Sequence, residues 1–253
     1  MAEHRFHTPE PVELDINVPV GEIDVETVDG DESLVTVEGS ERMLEQTVVE
    51  QQGRRIVVEL RGKKPFGITI AIGDLSFGSG GRLTIRARVP HASETMLATA
   101  AADMKVRGRL QSLETKSASG DLVVIGEIER DATIKTVSGD VRVERVGGDL
   151  RFTTVSGDVT ARAIGGSVEG KSVSGDVRLE STREGNVIVQ SVSGDIEVGV
   201  EAGTNLDVDA GSVSGDLGSE IPLGSDPSSA ETFGPTLVVR GKTVSGDFRV
   251  FRA

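Results

Sequence analysis

Residues 137–163 read VSGDVRVER, VGGDLRFTT and VSGDVTARA, three consecutive nine-residue units with one shared pattern. Asp140, Asp149 and Asp158 therefore occupy equivalent positions. A period that persists over many copies is typical of a solenoid, in which each repeat is one coil and neighbouring coils share a core. The tripeptide Ser-Gly-Asp recurs about every eighteen residues, at 119–121, 138–140, 156–158, 174–176, 193–195, 214–216 and 245–247.

Each repeat contains two predicted turns. In the first, Ser-Gly-Asp, glycine supplies a positive φ and aspartate closes the turn through its own backbone. The glycines predicted to have this structural role are Gly120, Gly139, Gly157, Gly175, Gly194, Gly215 and Gly246. The second turn is predicted nine or ten residues further on, at the short polar residues Asp131, Asp149, Ser167, Asn186 and Asn205.

Between the turns, apolar and polar residues alternate as in half-buried strands. The outward series Glu144, Arg162 and Glu180 alternates in sign from coil to coil, which favours this register because opposite charges on neighbouring strands attract. The inward positions predicted by the alternation are Val141, Val143, Leu150, Phe152, Val159, Ala161, Val177, Leu179, Ile196 and Val198. The valines before each motif are expected to join them: Val137, Val155, Val173, Val192, Val213 and Val244.

Enrichment in β-branched residues with few helical patterns predicts an all-β fold. We expect a single-stranded parallel β-solenoid (β-helix) with about 18 residues per coil and two corners. Residues 1–95 are expected to form an N-terminal β region with an acidic cap, irregular first coils and an excursion loop at 62–82. Residues 96–253 are expected to form the regular solenoid, with a loop at 217–235 and a C-terminal cap strand.

Composition restricts the partners. The 253-residue chain has no cysteine, tryptophan or tyrosine. The lack of cysteine excludes thiolate metal sites. Residues 1–50 carry 14 acidic and 2 basic side chains, a charge that disfavours nucleic acid and anionic lipid. The first twenty residues lack the positive start and apolar core of a secretory signal, and no run is long enough for a spanning helix. We therefore expect a cytoplasmic protein without a membrane span, with a role at the cell surface as the alternative.

The stacked aspartates raise the possibility of a metal site. Calcium binds nonapeptide repeats of the form G-G-x-G-x-D-x-U-x, and this chain shares their period, glycine and aspartate but not their spacing. Turn formation is the favoured role, and calcium binding in a β-roll-like protein is the alternative. The calcium candidates are Asp121, Asp140, Asp158, Asp176 and Asp195.

A glycan-active β-helix enzyme is a further alternative. Acid–base catalysis on sugars needs two carboxylates in unlike environments, whereas the repeated aspartates here are alike. The chain also lacks the tryptophan and tyrosine rings on which sugars commonly stack. We nominate no catalytic residue and no cofactor.

The recurrent unit resembles a bacterial β-strand-repeat family, a domain of unknown function labelled as candidate adhesins. Segments 9–27 and 89–110 are also similar to that family. The resemblance implies a right-handed solenoid without enzymatic activity, and it carries over no catalytic or binding residue. Its clearest copies are TVSGDVRV (136–143), TVSGDVTA (154–161), SVSGDVRL (172–179), SVSGDIEV (191–198) and TVSGDFRV (243–250).

The sequence thus predicts a non-enzymatic scaffold or protein-interaction module. A fold alone does not identify a function, and the partner could be another protein or a second copy of the chain.

Overall fold

The computed structural model describes residues 1–61, 82–221 and 234–253. These residues form one short helix, α1 (Glu41–Gln46), and twenty strands. The strands are β1 (Ala2–His7), β2 (Glu13–Val28), β3 (Glu32–Glu38), β4 (Thr47–Gln52), β5 (Arg55–Leu60), β6 (Leu83–Pro90), β7 (Ser93–Ser119), β8 (Leu122–Ile128), β9 (Ala132–Thr136), β10 (Val141–Val146), β11 (Leu150–Thr153), β12 (Val159–Ile164), β13 (Val168–Lys171), β14 (Val177–Thr182), β15 (Gly185–Gln190), β16 (Ile196–Val200), β17 (Asn205–Ser214), β18 (Leu217–Ser219), β19 (Thr236–Ser245) and β20 (Phe248–Arg252).

The repeat region forms two columns of parallel strands. The first column contains β8, β10, β12, β14 and β16, and the second contains β9, β11, β13 and β15. Val141 pairs with Val159, and Val159 pairs with Val177, so each coil advances by one sequence repeat. The predicted all-β, mostly parallel solenoid is confirmed. Its right-handed sense remains a prediction from the family resemblance.

The long strands β2 and β7 lie at the N-terminal side of this stack. β2 pairs in parallel with β7 along most of its length, and with β5 and β6 on its other side. Beyond them the pairing is antiparallel: β3 pairs with β6, β1 pairs with β3, and β4 pairs with β5. The N-terminal coils are therefore covered by antiparallel strands, an arrangement that the repeat pattern did not predict.

The last two coils do not follow their order in the sequence. β20 lies between β16 and β18, with Phe248 paired to both Ile196 and Leu217. In the second column, β19 lies between β15 and β17. The C-terminal strand, which we expected to cap the solenoid, is thus inside the stack, and the coil of residues 205–219 forms the end.

The predicted core positions from Val141 to Val198 are all buried. The valines that precede the motifs were placed wrongly: Val137, Val155 and Val173 are 46%, 43% and 46% exposed. The inward position at each corner belongs instead to the preceding threonine or serine, such as Thr136. Its hydroxyl donates to the Ser138 carbonyl at 3.2 Å and thereby satisfies a backbone group in the turn.

Two predicted loops lie largely outside the described residues, since residues 62–81 and 222–233 are not described. The boundary proposed at 95/96 falls within β7 and remains a prediction. The one helix of the described ranges is far shorter than a membrane span requires.

Candidate functional site

Seven motif aspartates and Asp103 form a continuous column along one corner, which we call the Asp ladder. The backbone N–H of each ladder residue after Asp103 donates to Oδ1 of the aspartate one coil before it, at distances from 2.8 to 3.3 Å. The spatial order is Asp103, Asp121, Asp140, Asp158, Asp176, Asp195, Asp247 and Asp216.

This geometry corrects the predicted role of the aspartates. The Asp158 carboxylate accepts the N–H of Asp176 in the next coil, and no bond to its own turn is found among the described residues. The hydrogen bonds therefore join coils instead of closing individual turns. Each accepted N–H places the positive end of a backbone dipole beside a carboxylate, which offsets part of the repulsion within the column.

The glycine before each ladder aspartate allows this close stacking. Gly157 has a φ of +123°, and a Cβ at this position would lie 2.3 Å from the Gly139 carbonyl oxygen. The other six motif glycines also have φ values between +108° and +151°. Positive φ and the lack of a Cβ are both required where one backbone approaches another this closely.

The second corner contains a shorter ladder of the same kind. The N–H of Asp149 donates to Oδ1 of Asp131 at 2.9 Å, and the N–H of Ser167 donates to Oδ1 of Asp149 at 3.0 Å. The N–H of Asn186 continues the series to Oγ of Ser167 at 3.2 Å. Four of the five polar residues predicted at this corner thus join successive coils, whereas the side chain of Asn205 donates to the Gly234 carbonyl at 3.1 Å.

The calcium candidates are brought together in one column, and their carboxylates take part in the ladder hydrogen bonds. Each candidate carboxylate already accepts one backbone N–H through Oδ1. Within residues 1–61, 82–221 and 234–253, no group of three or more aspartate, glutamate, histidine or cysteine side chains is arranged to hold a metal ion. The geometry therefore gives no support to the alternative of calcium binding.

A row of exposed valines runs along the corner beside the Asp ladder, and we call it the valine stripe. Each of its members is between 43% and 82% exposed. Because the motif serines pair coil to coil in parallel, the valines that precede them form one straight row. In spatial order the stripe contains Val137, Val155, Val173, Val192, Val244 and Val213.

The valine stripe was not predicted from the sequence. The valines were assigned to the core because they are hydrophobic, although the alternation of inward and outward positions along each strand places them outward. Ile134 is buried, so strict alternation along β9 places Thr136 inward and Val137 outward. The same phase repeats in each coil. Counting from the last buried residue of every strand would have identified the stripe.

A lysine column borders the valine stripe on the side opposite the Asp ladder. Lys116, Lys135, Lys171 and Lys242 each lie two residues before the stripe position and five before the ladder aspartate of the same coil. They are four of the seven lysines in the chain. Near the C-terminal end, an apolar groove of about 600 Å³ is lined by both columns, with Lys171 and Lys242 from one and Val192, Val244 and Val213 from the other.

A second, larger groove of about 1180 Å³ has mixed charge. The side chain of Arg162 lies between Glu144 and Glu180, at 3.5 and 3.6 Å. The predicted alternation of charge along this outward column is therefore confirmed. Since these charges neutralise one another, the groove presents fewer unpaired groups to a ligand than the valine stripe and its flanks.

Comparison with solved structures shows what the fold resembles. A candidate lipid-binding protein from Parabacteroides distasonis is 14% identical with a TM-score of 0.62, and the match covers 98% of this chain and 96% of that one. A candidate adhesin from Bacteroides fragilis is also 14% identical over the same shares of the two chains, with a TM-score of 0.45. The first likeness shows a shared fold. No curated protein matches the chain.

The comparison with protein families covers nearly the whole chain. The family described as Toastrack DUF4097 matches residues 12–251, which include the antiparallel pairs β3–β6 and β4–β5, both ladders and the inserted C-terminal coil. The chain belongs to the Toastrack DUF4097 family.

Proposed function

We propose that this protein is a non-enzymatic interaction module that binds a protein partner along the valine stripe. The exposure of six valines in one straight row carries this proposal. Contiguous apolar surface with a polar rim is typical of interaction sites, whereas apolar residues scattered singly over a surface need no explanation. The names of related structures as candidate adhesins are consistent with binding and specify no partner.

The rigidity of the site supports the same function. Both ladders and the parallel strand pairs hold the valines on a fixed backbone, so binding would order few additional groups. The valines have stiff side chains because they are β-branched. Binding would therefore lose little conformational entropy.

Site-specific photo-crosslinking in the cells that produce the protein tests this function. We would place a photo-reactive amino acid at Val173 and, as the matched control, at Ile125, which is 39% exposed and lies outside the stripe. We expect a discrete crosslinked product from position 173 and none from position 125. Absence of any product along the stripe, tested also at positions 155 and 192, would refute the proposal.

The captured partner would then be purified and its affinity measured. In the variant V155T/V173T, each valine is replaced by an isosteric β-branched residue that carries a hydroxyl group. We expect this variant to bind at least about tenfold more weakly than wild type, with I125T unchanged. Equal affinity of the three proteins would show that the capture did not involve the valine stripe.

A further inference from the structure

The flanks of the valine stripe have opposite charges, and this asymmetry points to a particular partner. The Asp ladder lies on one side, and the lysine column on the other. Asp158, Asp176 and Asp195 have no ion-pair partner among the described residues, and the same holds for Lys135 and Lys242 on the opposite flank. A partner that matches this surface needs an apolar centre, an acidic flank and a basic flank.

The chain itself has such a surface. A twofold axis parallel to the solenoid axis, placed between two facing stripes, brings each coil opposite the same coil of the other copy. This rotation exchanges the two flanks, so the lysine column of each copy faces the Asp ladder of the other. We propose, on the basis of the function proposed above, that the valine stripe binds a second copy of this chain in parallel register.

The spacing of the charges fits this arrangement. Every lysine of the column is five residues before the aspartate of its own motif, in the pattern K-x-[VA]-S-G-D. In the dimer, Lys135 of one copy therefore faces Asp140 of the other, and Lys171 and Lys242 face Asp176 and Asp247. With Lys116 and Asp121 included, each flank contains four such lysine–aspartate pairs. Within one copy, Lys116 and Lys171 also pair with Glu114 and Glu169, and Asp140 pairs with Arg142, so these groups would share their charge with the second copy.

A twofold axis perpendicular to the stripe would not give this match. It would bring Asp ladder against Asp ladder, so that carboxylates would meet along the whole length. The opposite column, in which Thr153 and Gln190 lie between the lysines, would face itself. Repulsion of this kind selects against an alternative register. The charges therefore favour the parallel dimer over the antiparallel one.

The size of the surface predicts weak association. Seven coils at about 4.8 Å give a length of roughly 30 Å, and the flanks are at most about 15 Å apart. The area is then on the order of 450 Å² per copy, below the roughly 800 Å² typical of stable complexes. We therefore expect a dimer with a micromolar or higher dissociation constant. This constant should rise with salt concentration, because salt screens the flanking charges.

Sedimentation equilibrium of the purified full chain tests this proposal, from about 5 to 500 µM and at low and high salt. We expect reversible dimers and a dissociation constant that rises at least about tenfold in V155T/V173T and in K135E/K171E. I125T should dimerise like wild type. L217T, altered at the terminal coil where Leu217 is 56% exposed, should also dimerise normally. A monomer throughout the range, or a dimer weakened only by L217T, would overturn the proposal.

The crosslinking experiment separates this inference from the function on which it rests. A product from position 173 that contains two copies of the chain supports both. A product with a different protein supports the interaction function and overturns self-association. No product from the stripe overturns both, and thermal unfolding of every variant, with melting temperatures close to wild type, shows that the losses do not come from misfolding.

Discussion

The backbone N–H of Asp247 donates to Oδ1 of Asp195 at 2.8 Å, although 52 residues separate them. Asp216, which comes earlier in the chain than Asp247, donates to Oδ1 of Asp247 at 2.9 Å. The final coil is therefore inserted between two coils that precede it. The 28 residues between the last two motifs (217–244) are thus more than an excursion, because they contain β18 of the terminal coil and most of β19 of the coil inserted beneath it.

This insertion makes the terminal coil depend on the C-terminal residues. β17 pairs with β19, and β18 pairs with β20, while neither has a parallel neighbour on its other side among the described residues. Phe248 is buried between the coils, so we expect F248A to lose about 3–5 kcal/mol of unfolding free energy. Hydrogen exchange measured by mass spectrometry should show that β17 and β18 lose protection before β9 and β11 do.

The control for this prediction lies in the same coil. Val244 is 50% exposed, and V244T should leave the exchange of β17 unchanged. Retained protection of β17 and β18 in F248A would contradict the prediction, because it would show that the terminal coil is held by something other than β19 and β20.

Much of the fold could be predicted from local alternation. The buried positions in β10, β12 and β14 follow from a period of two, and the coil length follows from the spacing of the motifs. The antiparallel N-terminal strands could not be predicted in this way, since pairing partners far apart in sequence leave no periodic signal. The exposed valines were mispredicted because a threonine or serine takes the inward position before each of them. At Thr136 the hydroxyl donates to the Ser138 carbonyl, a bond that valine cannot make, whereas the hydroxyls of Thr154 and Ser191 have no such partner.

The order of the last two coils was also beyond the repeat pattern. SVSGDLGS (212–219) and TVSGDFRV (243–250) carry the same motif, so either could pair with the coil that contains Asp195. The difference lies in what each coil can bury. Phe248 and Val250 are 2% and 1% exposed inside the stack, whereas Leu217 at the end is 56% exposed. The more apolar coil takes the interior position, and the more polar one becomes the cap.

Substitution of Gly157 tests the requirement for close stacking. G157A would force an alanine to a φ of +123° and place its Cβ 2.3 Å from the Gly139 carbonyl oxygen. We expect a loss of at least about 2–3 kcal/mol in unfolding free energy, measured by denaturant titration. Two controls separate the causes. Gly30 has a φ of +134° and no atom within 4 Å of an added Cβ, so G30A should show only the backbone strain.

The second control removes the strain as well. Gly218 has no positive φ in the strained range and no atom within 4 Å of an added Cβ, so G218A should be nearly neutral. The expected order of stability is G218A, then G30A, then G157A. Equal stability of G157A and G218A would contradict the close approach of the coils at this corner.

The Asp ladder predicts opposite effects for two substitutions of one residue. Oδ1 of Asp158 accepts the N–H of Asp176 at 2.9 Å. D158A removes this acceptor and should cost about 1 kcal/mol, or roughly 2–4 °C in melting temperature for a chain of this size. D158N keeps the acceptor and removes one charge from the column, where neighbouring carboxylates repel by about 1 kcal/mol in water.

At low ionic strength, the melting temperature of D158N should therefore equal or exceed that of wild type, and the melting temperature of D158A should be lower. High salt should reduce the difference in melting temperature between D158N and wild type, because it screens the repulsion. It should not restore the melting temperature that D158A loses. A D158N protein as unstable as D158A would show that the charge, and not the accepted hydrogen bond, is the stabilising feature.

Calcium should have little effect on stability. Oδ1 of every candidate carboxylate accepts a backbone N–H, and the described residues contain no cluster of three acidic side chains arranged around one point. We expect the melting temperature in millimolar Ca²⁺ to equal that in excess EDTA to within about one degree, because a ligand stabilises the native state only where it binds it. A rise of many degrees that D158N/D176N abolishes would instead establish the Asp ladder as a calcium site. The accepted N–H groups would then have to share their carboxylates with the metal.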